Sequence, residues 1–171
     1  MVTEVIVLTV RLPRMVVERV EREARNAGLS VEEYLLDLML QHVDPEERAQ
    51  AYVEEAQALM EQAQEELAKG NIRQASEKVW GAAALAVKAY AAWREKRRLA
   101  SHGEIWEYTL VLRRELGEWV GDAWAQASAM HTCFYEGWCR EEHVEQALKR
   151  VERLVEEVKG QIKMKPPSEH G

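Results

Sequence analysis

Residues 80–93 read WGAAALAVKAYAAW, and the size of these side chains decides the architecture. A helix whose apolar side is built from alanine and glycine lets a neighbouring backbone come unusually close, while Trp80, Tyr90 and Trp93 fill the space at its ends. A tight helical hairpin is implied. With helix-period patterning and short connections to either side, an antiparallel bundle is the natural solution.

Outward from this helix the punctuation is helical. Asp44-Pro45-Glu46-Glu47 gives an N-cap, a first-turn proline and acidic residues, and so starts a helix. Gly70-Asn71 ends it and caps the next, with Gln74 at the third helical position; Ser101 with Glu104 forms a capping box; Gly117 and Gly137 mark further breaks. Five helices are expected, at roughly 45–69, 71–98, 102–116, 118–135 and 140–163. The last carries Val144, Leu148, Val151, Leu154 or Val155, Val158 and Ile162, a seam that packs along another helix. The tail KMKPPSEHG has no apolar face and reads as a flexible end.

Towards the N-terminus, VIVLTVRLP reads as a single strand: Leu8, Val10 and Leu12 alternate with Thr9 and Arg11 before Pro13 ends the pattern. A lone strand leaves its backbone unpaired, and the same strand of a second chain is its cheapest partner. Two helices follow. Met15, Val16, Val20 and Ala24 recur at helical spacing up to a left-handed stop at Gly28. Ser30 and Glu33 then open a helix bearing Tyr34, Leu35, Leu38 and Met39. The division expected is a dimerisation or docking element at 1–43, a helical bundle at 44–163 and a tail at 164–171.

The chain has 171 residues, 47% hydrophobic and 31% charged, which is a globular balance. Its longest apolar run, Val79 to Val87, is cut by Lys88 and falls short of the roughly 20 residues a membrane span needs. No basic-then-apolar leader opens the sequence. Two cysteines, Cys133 and Cys139, are too few for a disulfide framework, and free thiols suit a reducing compartment. A cytoplasmic protein with no membrane association is expected. The net charge of -7 disfavours non-specific attraction to phosphate polymers.

Two resemblances follow from quoted segments. Residues 5–43 resemble a ribbon-helix-helix unit, whose dimers pair their strands and place outward strand side chains in the DNA major groove. On that pattern Thr9 and Arg11, with Val7, would face DNA, and the backbone at Ser30 and Val31 would meet a phosphate. Residues 45–160 resemble HEPN-like helical domains, most closely the archaeal PaREP family, through AKGNIRQASEKVWGAAALAVKAYA, SHGEIWEY and AMHTCFYEG. The resemblance implies a small helical bundle, often a homodimer, that binds RNA or nucleotides, partners a nucleotidyltransferase, or acts as a metal-independent RNase. The hairpin at 50–92 also looks like one tetratricopeptide unit, with no second copy after it.

The RNase members of that group carry an arginine, four to six residues, then a histidine near the end of the penultimate helix. His131 occupies the histidine position, but Trp124, Ala125 and Gln126 stand where the arginine would be. Arg97 and His102 have the literal spacing, at a helix end and the next capping box. The chemistry would need a cation on the phosphate and an imidazole to move a proton at a ribose oxygen. His131, Cys133, Cys139 and His143 offer zinc-type donors at a spacing that is no known zinc signature, so no metal or other cofactor is expected. The basic run WREKRRLASH gathers Arg94, Lys96, Arg97, Arg98 and His102 beside Trp93, an arrangement able to stack a base and hold its phosphate, or simply to complement a helix C-terminus.

The reading is thus an all-α bundle preceded by a strand and two helices, acting as a homodimeric, non-catalytic binding module for RNA, a nucleotide or a protein partner. Its candidate ligand residues are Arg94, Arg97, Arg98, His102, His131 and Tyr135. RNase chemistry at His131 or His102, with Arg97, is one alternative. DNA binding through Thr9, Arg11 and Ser30 is the other.

Overall fold

The computed structural model describes residues 6–164. Among them are seven α-helices: α1 (Arg14–Ala27), α2 (Val31–Met39), α3 (Pro45–Ala68), α4 (Ile72–Glu95), α5 (His102–Leu116), α6 (Trp119–Glu136) and α7 (Glu141–Met164). The all-α expectation holds. Of the expected tail, residues 165–171 lie outside the described residues.

Helix α4 is the axis of the bundle. Every residue from Val79 to Trp93 is buried, and α3, α5, α6 and α7 all pack on it. A helix covered on every side has no polar face to spare, which is why its sequence is almost continuously small and apolar. Alanines 82, 83, 86, 89 and 91 are fully buried and set the close approach. The α7 seam closes the far side, with Val144, Val151, Leu154, Val155 and Val158 buried. Truncating Leu85, Leu112 or Leu154 in this core to alanine would cost about 2–5 kcal/mol.

The start signals work locally. The Asp44 carboxylate accepts the Glu46 N–H at 2.9 Å, with Pro45 in the first turn of α3. Ser101 and Glu104 form the complete capping box of α5. Asn71 differs from expectation: its side chain makes no cap bond, and its amide donates to Glu66 at 2.7 Å instead. At Ser30 the hydroxyl accepts the Glu33 N–H at 3.1 Å, while the Glu33 side chain turns into the bundle against Gly81.

The expected N-terminal strand is corrected. Residues 6–13 have no regular secondary structure, and no strand occurs among the described residues; Val5 lies outside them. A ladder needs a second extended segment, and the described part of one chain supplies none. Ile6, Val7, Leu8 and Val10 are instead 61–87% exposed.

Helix α2 sits on the bundle with its polar side inward. Glu33 and Asp37 are 7% and 5% exposed, whereas Leu35, Leu38 and Met39 are 41%, 38% and 75% exposed. Leu36 and Leu40 supply its apolar contact with the core.

Candidate functional site

Helical spacing puts the chemistry of three helices at one place. On α4, Glu77 and Trp80 are three residues apart; on α5, His102 and Trp106 are four apart; on α6, Trp124, His131 and Tyr135 follow steps of seven and four. Each set shares one helix face, and the faces meet around Trp80. Its ring centroid lies 4.7 Å from His131, 5.4 Å from His102 and 5.1 Å from Trp124. The two histidine rings are 5.4 Å apart in an edge-on arrangement. Tyr135 reaches within 5.1 Å of His131, and Trp106 within 5.6 Å of Trp124.

This cluster runs from the interior to the surface. Trp80 and Trp124 are buried, while Trp106 and Tyr135 are 49% and 61% exposed. His131 is partly accessible, its side chain 19% exposed, and its Nδ1 lies 3.1 Å from the Glu77 carboxylate. An ionised carboxylate can only accept, so Nδ1 carries the proton and Nε2 is left as the basic nitrogen of the neutral ring. His102 titrates below the ordinary histidine value because burial disfavours its charged form, with the charge of His131 adding to the effect. Nε1 of Trp124 is buried without a hydrogen-bond partner, whereas the His102 imidazole, its Nε2 also buried, is met by the backbone of Gly28. Orphaned polar atoms of this kind are rare in native interiors and mark ligand or water positions.

The α1–α2 turn lies over His102. A Cβ on Gly28, whose φ is +69°, would stand 2.7 Å from His102 Cε1 and Nε2. Farther along α2, Asp37 takes the Lys88 ammonium at 2.7 Å and the Tyr52 hydroxyl at 2.8 Å, all three buried. Burial and the Asp37 charge push the Tyr52 hydroxyl well above its usual range. Glu33 is raised to about 7, chiefly by burial.

The sequence-derived candidates divide. His131, His102 and Tyr135 come together; His102, which has the literal spacing from Arg97 but sits at a capping box, proves to be the neighbour of His131. The basic run forms the exposed α4–α5 connection, with Arg94, Lys96, Arg97 and Arg98 all exposed. Arg94 lies 3.5 Å from Glu115, and Arg97 sits 5.8 Å over the Tyr108 ring. Trp93 is 6% exposed, so the expected stacking of a base on it is corrected: the ring is inside the core. Thr9 and Arg11 are exposed, and Ser30 is half-buried at the start of α2.

The expected free thiols are also corrected. Cys133 and Cys139 form a disulfide across the α6–α7 connection, their Cα atoms 5.7 Å apart. The Gly137 left-handed turn folds the chain back to bring them within range. This uses both sulfurs of the donor set considered for zinc, and His143 accepts the Arg140 N–H at 3.0 Å. No group of three or more metal-type donors converges among the described residues.

Several members of the site escaped the sequence reading. Glu77, Trp106 and Trp124 are ordinary helix residues until the face is known. Lys88 was detectable, because one lysine inside an apolar helix needs a buried carboxylate. Arg73 was not: it donates to the Phe134 and Tyr135 carbonyls at 2.8 and 2.9 Å and secures the end of α6.

No described helix is long and apolar enough to cross a membrane. Comparison with curated proteins and with solved structures finds no match. Residues 51–155, which hold Glu77, Trp80 and both histidines, match the model of the archaeal PaREP1/PaREP8 family, and the chain belongs to that family.

Proposed function

We propose that this protein is a non-catalytic, homodimeric binding module for single-stranded RNA or its nucleotides, built on a HEPN-like bundle. The observation that carries this reading is the surface-to-core aromatic and histidine cluster: Trp106 and Tyr135 are exposed for stacking, Tyr135 leading to Trp80 through His131 and Trp106 through Trp124. Bases stack on aromatic rings without sequence preference, while cations hold the backbone. His102 opens α5 four residues after Arg98, the last of the exposed basic run that begins at Arg94 in the final turn of α4, so phosphate-holding groups lie near it in sequence. The exposed apolar residues Ile6 to Leu12, with Met15, Leu35 and Met39, supply the surface for a second copy.

A second reading, RNA cleavage, is favoured by one observation: His102 and His131 are ring neighbours and only one is oriented by a carboxylate. One imidazole to accept a proton and one to donate it are what transfer to and from a ribose oxygen requires. Labelled single-stranded RNA with metal-stripped protein, run on native and denaturing gels, separates the readings. A shift without shortening supports the binding module. Shortened RNA lost on His131→Ala or His102→Ala supports cleavage, and neither effect removes both.

A further inference from the structure

We propose that the α1–α2 hairpin is a releasable cover over His102, held closed by the contacts of Asp37 with Lys88 and Tyr52. The proposal rests on the reading of His102 and His131 as the ligand site. In the closed arrangement the Gly28 turn lies directly on the His102 ring, its backbone hydrogen-bonds the imidazole, and Nε2 is covered. A ligand that used His102 would have to displace this turn.

The way the hairpin is attached makes displacement feasible. Its inward contacts are mostly polar: Asp37 to Lys88 and Tyr52, and Glu33 against Gly81. Among its partly buried leucines, Leu36 of α2 and Leu40 at the helix's C-cap pack on the main core. A buried ion pair recovers little beyond its own desolvation cost, so it fixes position more than it adds stability. The α3–α4 interface is built the opposite way, from fully buried alanines, valines and leucines. Elements with few buried apolar contacts open first. The family match, moreover, begins at residue 51, so the hairpin lies outside the matched segment that holds the histidines.

The test is diethylpyrocarbonate modification of the full chain, read residue by residue by peptide mass mapping. His42 and His143 are exposed and serve as internal references. In the wild type, His102, half-buried with its Nε2 covered, is expected to react at least about tenfold more slowly than either reference, with local opening as the route to that nitrogen. Asp37→Asn should raise the His102 rate severalfold, and Asp37→Lys, which sets two ammonium groups against each other, should raise it further, with His42 and His143 unchanged. Equal rates for His102 and the references in the wild type would sink the proposal. So would persistent protection of His102 in both variants, or loss of the bundle's cooperative helical melting in both, which would make the hairpin part of the core. If His102 becomes reactive in Asp37→Lys but RNA affinity matches wild type, the cover stands and the ligand reading falls. If protection is unchanged, the cover falls and the RNA gel alone judges the ligand reading.

Discussion

Nδ1 of His131 lies 3.1 Å from the Glu77 carboxylate, joining α6 to α4 across 54 positions of sequence. This contact fixes the tautomer of the imidazole. Glu77→Gln replaces a pure acceptor with an amide that can accept or donate, so the Nδ1–H form is expected to lose its dominance. Nitrogen-15 chemical shifts of the His131 ring would report the change, and RNA affinity is expected to fall with it.

Trp106 and Tyr135 are the exposed rings of the cluster, and each is expected to stack a base. Trp106→Ala and Tyr135→Ala should each weaken single-stranded RNA binding by about 1–3 kcal/mol, with thermal stability nearly unchanged. Fluorescence anisotropy of a labelled oligonucleotide measures the first quantity and circular dichroism the second. Unaltered affinity in both variants would move the RNA surface elsewhere.

Lys88→Met leaves the Asp37 carboxylate buried with Tyr52 as its remaining hydrogen-bond partner. Breaking a buried pair in this way costs about 3–5 kcal/mol unless the charge can reach water. Here the hairpin can carry it there. Hydrogen exchange is expected to speed up across α1 and α2 while the amides of α4 and α6 stay protected.

Glu33 gives the docked state its pH dependence. Burial raises it to about 7, with Lys88 opposing the shift and Glu77, Asp37 and Glu55 adding to it. In the unfolded chain it titrates at the ordinary glutamate value of 4.5. The folded state therefore binds this proton more tightly, and the resulting stabilisation is complete below pH 4.5 and lost as pH rises through 7. Glu33→Gln should flatten that part of the curve in urea unfolding measured at a series of pH values. His102 works in the other direction: with its value lowered from 6.5, its contribution is complete above pH 6.5 and fades as pH falls.

The Cys133–Cys139 disulfide closes a short loop. Chain-entropy arguments give such a loop a stabilisation of about 2 kcal/mol. Cys139→Ala, at the half-buried end of the bond, should lower the unfolding free energy by that order in non-reducing buffer and by much less in dithiothreitol, where the wild type has lost the bond. Thiol counting on the unfolded, unreduced chain checks the pairing itself.

How much of this was legible in the sequence depends on the range of the signal. The alanine-rich face of α4, the proline start of α3 and the Ser101–Glu104 box are local, and each lies where its residues put it. The seam of α7 was readable for the same reason. The strand was not, because a strand is a property of two segments and the described part of one chain offers a single one. His131 could be picked out as a residue; its pairing with His102 and Glu77 could not, since those partners arrive from α5 and α4 only after the bundle closes. Lys88 stood in plain view as an interruption of an apolar run, and its meaning was a carboxylate 51 positions away.

The inward polar face of α2 bears on solubility as well as on access. When a helix held by leucines and valines lifts away, it bares two greasy surfaces that adhere to whatever lies nearest. When α2 lifts, the bundle face it leaves carries the Lys88 ammonium and the Tyr52 hydroxyl, groups that bind water at once. Beside the patch that Leu36 and Leu40 cover, the uncovered face would thus be partly polar, which lowers the tendency of an opened molecule to adhere to its neighbours.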